Sequence, residues 1–140
     1  MKNTLLNALL NTVLSLVIVA MLYIGYQLFY PVIPFVINTI PVKVITKEVK
    51  PGDTLIYEVD YCRYDGRTAT VYRSFLGETN IATPSVASVS VLGCHTAKIP
   101  ISVPDVTPPG TYHLGVNVKF QINPLRTETV SFHTEDFIVQ

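Results

Sequence analysis

From Asn3 to Val42 the chain carries no charged side chain, and Lys2 is the only charge before Lys43. A stretch of that kind constrains the fold more than anything else in these 140 residues. A bilayer core about 30 Å thick takes roughly 20 helical residues, and the apolar run from Leu5 to Tyr30 exceeds that. Pro31, Pro34 and Pro41 then forbid its continuation, because proline lacks the backbone donor and restricts the residue before it. A transmembrane helix is therefore expected over 5–29, in contact with membrane lipid. Tyr23, Tyr26, Phe29 and Tyr30 gather at its end, where aromatic rings favour the membrane boundary.

A cleaved signal peptide would have a shorter apolar region followed by a small-x-small site. Val19-Ala20-Met21 is a poor one, and the apolar run continues beyond it. A pilin-like stem would carry an acidic residue that is absent here. Orientation is less direct. Lys43, Lys47 and Lys50 outweigh Lys2 in the positive-inside count, whereas the short N-terminal tail and the two downstream cysteines favour a cytoplasmic N-terminus and a periplasmic or extracellular C-terminal domain. Thr4, Asn7, Asn11 and Ser15 recur at helical spacing and share one face. In lipid such a stripe seeks partners on neighbouring helices, which makes Asn7, Asn11 and Ser15 candidate helix–helix contacts. The competing reading is that the first turns sit wet among headgroups.

The sequence thus divides into a helix at 1–30, an apolar, proline-broken linker at 31–41, and a domain at 42–140. The linker is expected either along the membrane surface or against a partner. Residues 42–140 hold nine of the ten basic residues and all ten acidic ones, a formal charge of −1. That balance lacks the clustered basic excess of a nucleic-acid surface and the basic run that binds anionic lipid. Roughly 100 residues suffice for one domain with one core.

That domain reads as all β. Tyr112, Leu114, Val116, Val118, Phe120 and Ile122 alternate with His113, Gly115, Asn117, Lys119 and Gln121, the period of a half-buried strand. Leu55 to Tyr61 and Thr68 to Leu76 repeat the pattern, and further strands are expected at 42–49, 86–92, 98–103 and 127–139. Apolar parity shifts between Phe132 and Phe137, which predicts a bulge at 134–136. Turn signals such as Lys50-Pro51-Gly52-Asp53, Tyr64-Asp65-Gly66-Arg67 and Pro108-Pro109-Gly110 fall at regular intervals. About seven short strands so spaced point to a β-sandwich.

Val49-Lys50-Pro51-Gly52-Asp53-Thr54-Leu55 resembles the turn before an early strand of bacterial immunoglobulin-like domains, and Asp105 through Pro108-Pro109-Gly110-Thr111-Tyr112 resembles the lead into their penultimate strand. The resemblance implies an immunoglobulin-like β-sandwich in which Tyr112 is the tyrosine of a tyrosine corner, its hydroxyl bonded to upstream backbone. Leu114 stands where antibody domains have a cysteine, and the chain has no tryptophan, so the likeness is one of architecture. The layout of a single anchor before one such sandwich also resembles uncharacterised small membrane proteins of tailed bacteriophages.

Cys62 and Cys94 are the only cysteines, and in an exported domain they are expected to form a disulfide between loops at one end of the sandwich. The other possibility is a pair of buried thiols. As metal ligands, Cys62, Cys94, His95, His113 and His133 lack paired spacing, and Cys94 and His95 would face opposite sides of a strand. No cofactor is expected. Glu58, Asp60 and Asp65 could serve hydrolysis only within a motif, and no Gly-x-Ser-x-Gly, His-Glu-x-x-His or phosphate loop is present. The expectation is therefore a non-enzyme. The segment Tyr61-Cys62-Arg63-Tyr64-Asp65-Gly66-Arg67, with Tyr72 and Arg73 on the next strand, concentrates residues typical of binding hot spots. Tyr61, Arg63, Tyr64, Arg67, Tyr72 and Arg73 are the candidate partner-binding residues, against the plainer reading of a solvated hairpin whose tyrosines half enter the core. Arg126 is expected to pair with Glu128 or Asp136. Two functions follow: a membrane-tethered module that binds another protein at the cell envelope, or a structural subunit of a phage, viral or surface assembly whose helices self-associate.

Overall fold

A computed structural model describes residues 2–89 and 91–140, with side chains from residue 6. Two compact units are present: residues 1–32 with 123–126, and residues 33–122 with 127–140.

In the first unit α1 runs Lys2–Phe29. It closes with Tyr30 N donating to Tyr26 O at 3.0 Å, and Pro31 offers no donor to prolong it. Leu6–Phe29 is long and apolar enough to cross a membrane. Its side chains are apolar nearly all round and uncovered, with Leu22 69% and Phe29 82% exposed. A core helix of a soluble domain would bury a stripe instead. The terminal carbonyls of such a helix lack intrahelical partners. The 123–126 turn supplies donors to them: Asn123 Nδ2 bonds Gln27 O at 2.8 Å, and Arg126 Nη1 bonds Tyr30 O at 2.5 Å and Leu28 O at 3.2 Å.

The second unit is a two-sheet β-sandwich. In one sheet β4 (Thr54–Arg63) is central. It pairs with β8 (Gly93–Ser102) along one side and with β1 (Phe35–Ile37) and β2 (Lys43–Val44) along the other. In the second sheet β9 (Gly110–Asn123) is central. It lies between β5 (Ala69–Gly77) on one side and β10 (Arg126–His133) and β11 (Phe137–Val139) on the other. β3 (Glu48–Val49) joins β11 in parallel, and β6 (Ile81–Ala82) and β7 (Val86–Ser88) flank β5.

The alternation read in β9 decides the core. Tyr112, Leu114, Val116, Val118, Phe120 and Ile122 are all buried, facing Leu55, Tyr57, Val59 and Tyr61 of β4. Each such side chain contributes about 1.5–3 kcal/mol by leaving water. Phe75 meets Phe137 edge-on at 5.9 Å, and Phe35 stacks on Tyr61 at 5.1 Å.

Three expectations need adjustment. The linker expected at 31–41 is partly sheet: Phe35, Val36 and Ile37 pair with Arg63, Cys62 and Tyr61, because Phe35 gains an aromatic partner that outweighs an extended apolar arm. The single strand expected at 42–49 divides. Lys43–Val44 pairs with β4 and Glu48–Val49 with β11, so the chain steps from one sheet to the other at 45–47. The strand expected at 98–103 starts earlier, at Gly93, whose φ of 98° suits glycine alone. The expected bulge is present. Thr134 is bonded to Leu114 and Phe137 pairs with Tyr112, so one strand advances three residues while its partner advances two.

Candidate functional site

Cys62 and Cys94 form a disulfide, with their Cα atoms 4.0 Å apart. They lie directly opposite each other in the β4–β8 ladder, so the bridge joins adjacent strands of one sheet rather than loops. The reason is the early start of β8. So short a Cα separation marks a pair that exchanges no backbone hydrogen bonds. That sets the phase of β8: Cys94, Thr96, Lys98, Pro100 and Ser102 turn their backbone groups to the strand's free edge. Pro100 has no N–H to offer there and Lys98 is charged, two devices that discourage edge-to-edge pairing. Cys62 is buried and Cys94 exposed. Beside them Thr96 Oγ1 donates to Asp60 Oδ1 at 2.5 Å, and Lys98 meets Glu58 at 3.9 Å. His95 turns to the opposite face, its ring 6.2 Å from that of Tyr61.

The six candidate contact residues separate by burial. Tyr64 and Tyr72 are 64% and 43% exposed, and Arg67 is also at the surface. Tyr61 and Arg63 are buried and Arg73 is half-buried. Strand parity explains this, since Tyr61 continues the inward phase of Leu55, Tyr57 and Val59, and Arg73 the inward phase of Ala69, Val71 and Phe75. Arg63 holds the following loop from beneath: Nε donates to Asp65 O at 2.6 Å, Nη2 donates to Arg67 O, and the guanidinium lies 5.9 Å from the Phe120 ring centre. Asp65 accepts from Arg67 N at 2.9 Å and pairs with its guanidinium at 3.0 Å. Tyr64 N donates to Pro34 O at 3.0 Å. Tyr64 and Arg67 are thus displayed on a tied loop.

Behind that loop the two sheets part. Phe35, Tyr57, Val71, Arg73, Ile99 and Phe132 are among the residues lining an apolar cleft of about 300 Å³. The small side chains Ala69, Ser88 and Ala97 leave the space open. Arg73 Nε donates to Tyr57 Oη at 3.2 Å. Burial pushes the Tyr57 phenol pKa up, and the Arg73 guanidinium draws it partly back. Reasoning from sequence overlooks this cleft, although a charged residue in the inward phase of β5 is its signal. It also overlooks the exposed apolar side chains of Val86 on β7 and of Val89, Val91 and Leu92 between β7 and β8.

The remaining candidates are spread out. Asn7, Asn11 and Ser15 are exposed along one face of α1. Thr4, in the same stripe, lies outside the residues whose side chains are described. Tyr112 is buried, but its hydroxyl meets Thr79 Oγ1 at 3.3 Å, so the bond expected to upstream backbone is made instead to a side chain of the β5–β6 turn. His113 sits 3.7 Å from Asp136 and its ring 6.1 Å from that of His133. Among the described residues no three His, Cys, Asp or Glu side chains gather as a metal site would require. Arg126, expected to pair with an acid, bonds the helix-end carbonyls described above.

Fold and surface together define a disulfide-bridged β-sandwich behind one apolar N-terminal helix. No family model and no curated protein matches the chain. Solved structures that resemble it include a CARDB domain from Pyrococcus furiosus in complex with di-metal ions, at 13% identity and TM-score 0.40, covering 78% of this chain and 97% of that one. A β-glucosidase from Listeria innocua in complex with glucose is similar at 13% identity and TM-score 0.36, over 74% of this chain and 16% of that one. Likenesses this distant carry no functional argument, and the fold class rests on the two sheets themselves.

Proposed function

We propose that this chain is a membrane-anchored, non-enzymatic β-sandwich that binds another protein at the cell envelope, with its N-terminus cytoplasmic and its domain periplasmic or extracellular. The observation that carries the reading is the uncovered apolar helix Leu6–Phe29 joined to a domain that displays Tyr64, Arg67 and Tyr72. An apolar helix left bare of protein needs lipid around it, and the disulfide suits an oxidising compartment. The test is extraction. The full chain should stay with membranes through alkaline carbonate washing, and its domain should be cut by protease added from outside the cell or spheroplast. Release into the wash, or protection of the domain, overturns the reading.

A second reading draws on the exposed Asn7, Asn11 and Ser15 face: a structural subunit whose helices bundle within a phage or surface assembly. Asn side chains facing lipid gain by bonding across helices, by about 0.6–2 kcal/mol each. Under this reading the detergent-solubilised chain forms a large ordered assembly that Asn7→Leu with Asn11→Leu disperses on a native gel. A monodisperse monomer, or no change on substitution, removes it.

A further inference from the structure

We infer that the cleft between the sheets is a binding site for a small amphiphilic carboxylate, one with an anionic head and a short apolar tail. The argument is independent of the anchored-module reading and begins with Arg73. This residue occupies the inward phase of β5, between Val71 and Phe75, both buried. A guanidinium presents five donors. Among the described residues, the one side-chain partner of Arg73 is Tyr57 Oη, on Nε. Among the described residues no carboxylate lies within salt-bridge distance of it. Both terminal nitrogens are therefore available at the wall of a cleft. Holding a cation against apolar surface is costly unless an anion is paired with it.

Arg63, which lines the same cleft, differs in role, since its donors hold the carbonyls of Asp65 and Arg67. Apart from Ser88 and the Tyr61 hydroxyl, the remainder of the lining is hydrocarbon and aromatic, with Val59, Val71, Val116, Val118, Phe120 and Ile99 among it. An opening of about 300 Å³ is at the lower end for ligand sites, and a mostly apolar wall with few fixed polar groups is their usual make-up. A planar carboxylate matches the two terminal nitrogens of arginine in a bidentate pair. Tyr57 Oη, next to Nε, offers its hydroxyl to the same head group. Ala69 and Ala97 leave room for a tail where larger residues would close the core.

The test uses the full chain in nanodiscs of zwitterionic phospholipid, with octanoate as the probe and empty nanodiscs subtracted. Thermal unfolding followed by tyrosine near-UV signal and saturation-transfer NMR on octanoate are the two readouts. Octanoate should bind saturably and raise the Tm. Octan-1-ol, equal in length and uncharged, should bind at least about tenfold more weakly, because a hydrogen-bonded charge supplies more than 1.4 kcal/mol. Arg73→Gln should lose octanoate binding by a similar factor, and Ala97→Phe should lose both probes by filling the cleft. Arg73→Lys, which keeps the charge, should retain part of the affinity and shows that the site tolerates substitution. Equal binding of octanol and octanoate, an unchanged affinity in a folded Arg73→Gln, or no saturable octanoate binding overturns the proposal.

Discussion

Replacing both cysteines, Cys62→Ala with Cys94→Ala, probes how far one covalent link holds the edge of the domain. The link closes a loop of sequence separation 32. In the chain-entropy treatment such closure removes about 3.7 kcal/mol of freedom from the unfolded chain. The folded state loses little else, since Cys94 is exposed and the strands remain paired through ten registered positions. Position adds a local effect. The bridge is one pair from the end of the β4–β8 ladder, and among the described strands β8 has no partner but β4. Without it that end should fray. The assay is urea unfolding of the full chain in micelles, followed by tyrosine fluorescence because the chain has no tryptophan. With a slope of about 2 kcal/mol per molar, typical of a domain this size, the midpoint should fall by roughly 2 M. Amide exchange at His95 and Ala97, whose backbone groups face β4, should accelerate more than at Val116 in β9. A loss under about 1 kcal/mol, or equal acceleration in both strands, would refute the reasoning.

Further outcomes follow from buried polar groups. Burial raises the Tyr57 pKa, so the folded state keeps a proton that the unfolded chain releases. Its contribution is whole below about pH 10, the unfolded value, and declines as pH climbs from there through the folded pKa. Tyr57→Phe should flatten this alkaline decline, and an unchanged slope in pH-dependent unfolding would contradict it. Thr134→Val removes the acceptor of the buried Leu114 N–H and should cost about 1–3 kcal/mol, measured by the shift in urea midpoint. Thr107 Oγ1 is buried with no partner among the described residues, so Thr107→Val should be neutral or stabilising by about 1 kcal/mol in the same assay.

The fold was legible in sequence wherever one face of a strand is dry. The eleven-residue alternation from Tyr112 to Ile122 could pack only one way, and the parity slip between Phe132 and Phe137 marked the bulge because an extra residue turns every later side chain over. Short edge elements were not legible. Phe35–Ile37 and Lys43–Val44 have too few residues to show a period, and their pairing depends on tertiary partners such as Tyr61. The cysteine pair was legible, but its place within one sheet was not, since the start of β8 at Gly93 is set by a glycine turn that no alternation announces. Of the six candidate contact residues, Tyr64, Arg67 and Tyr72 are exposed, whereas Tyr61, Arg63 and Arg73 follow the inward parity of their strands. That parity, with a charge on it, was the clue to the cleft.

The central claim is that this anchored sandwich meets a protein through its displayed tyrosine and arginine face. The most direct measurement is site-specific photo-crosslinking of the full chain in its native membranes, with the reactive group placed in turn at Tyr64, Arg67, Tyr72 and, on the other sheet's outer face, Lys98. The account predicts a discrete adduct of the same partner from at least one of the first three positions and none from Lys98. Absence of any adduct at Tyr64, Arg67 and Tyr72, or an identical pattern at Lys98, would contradict it.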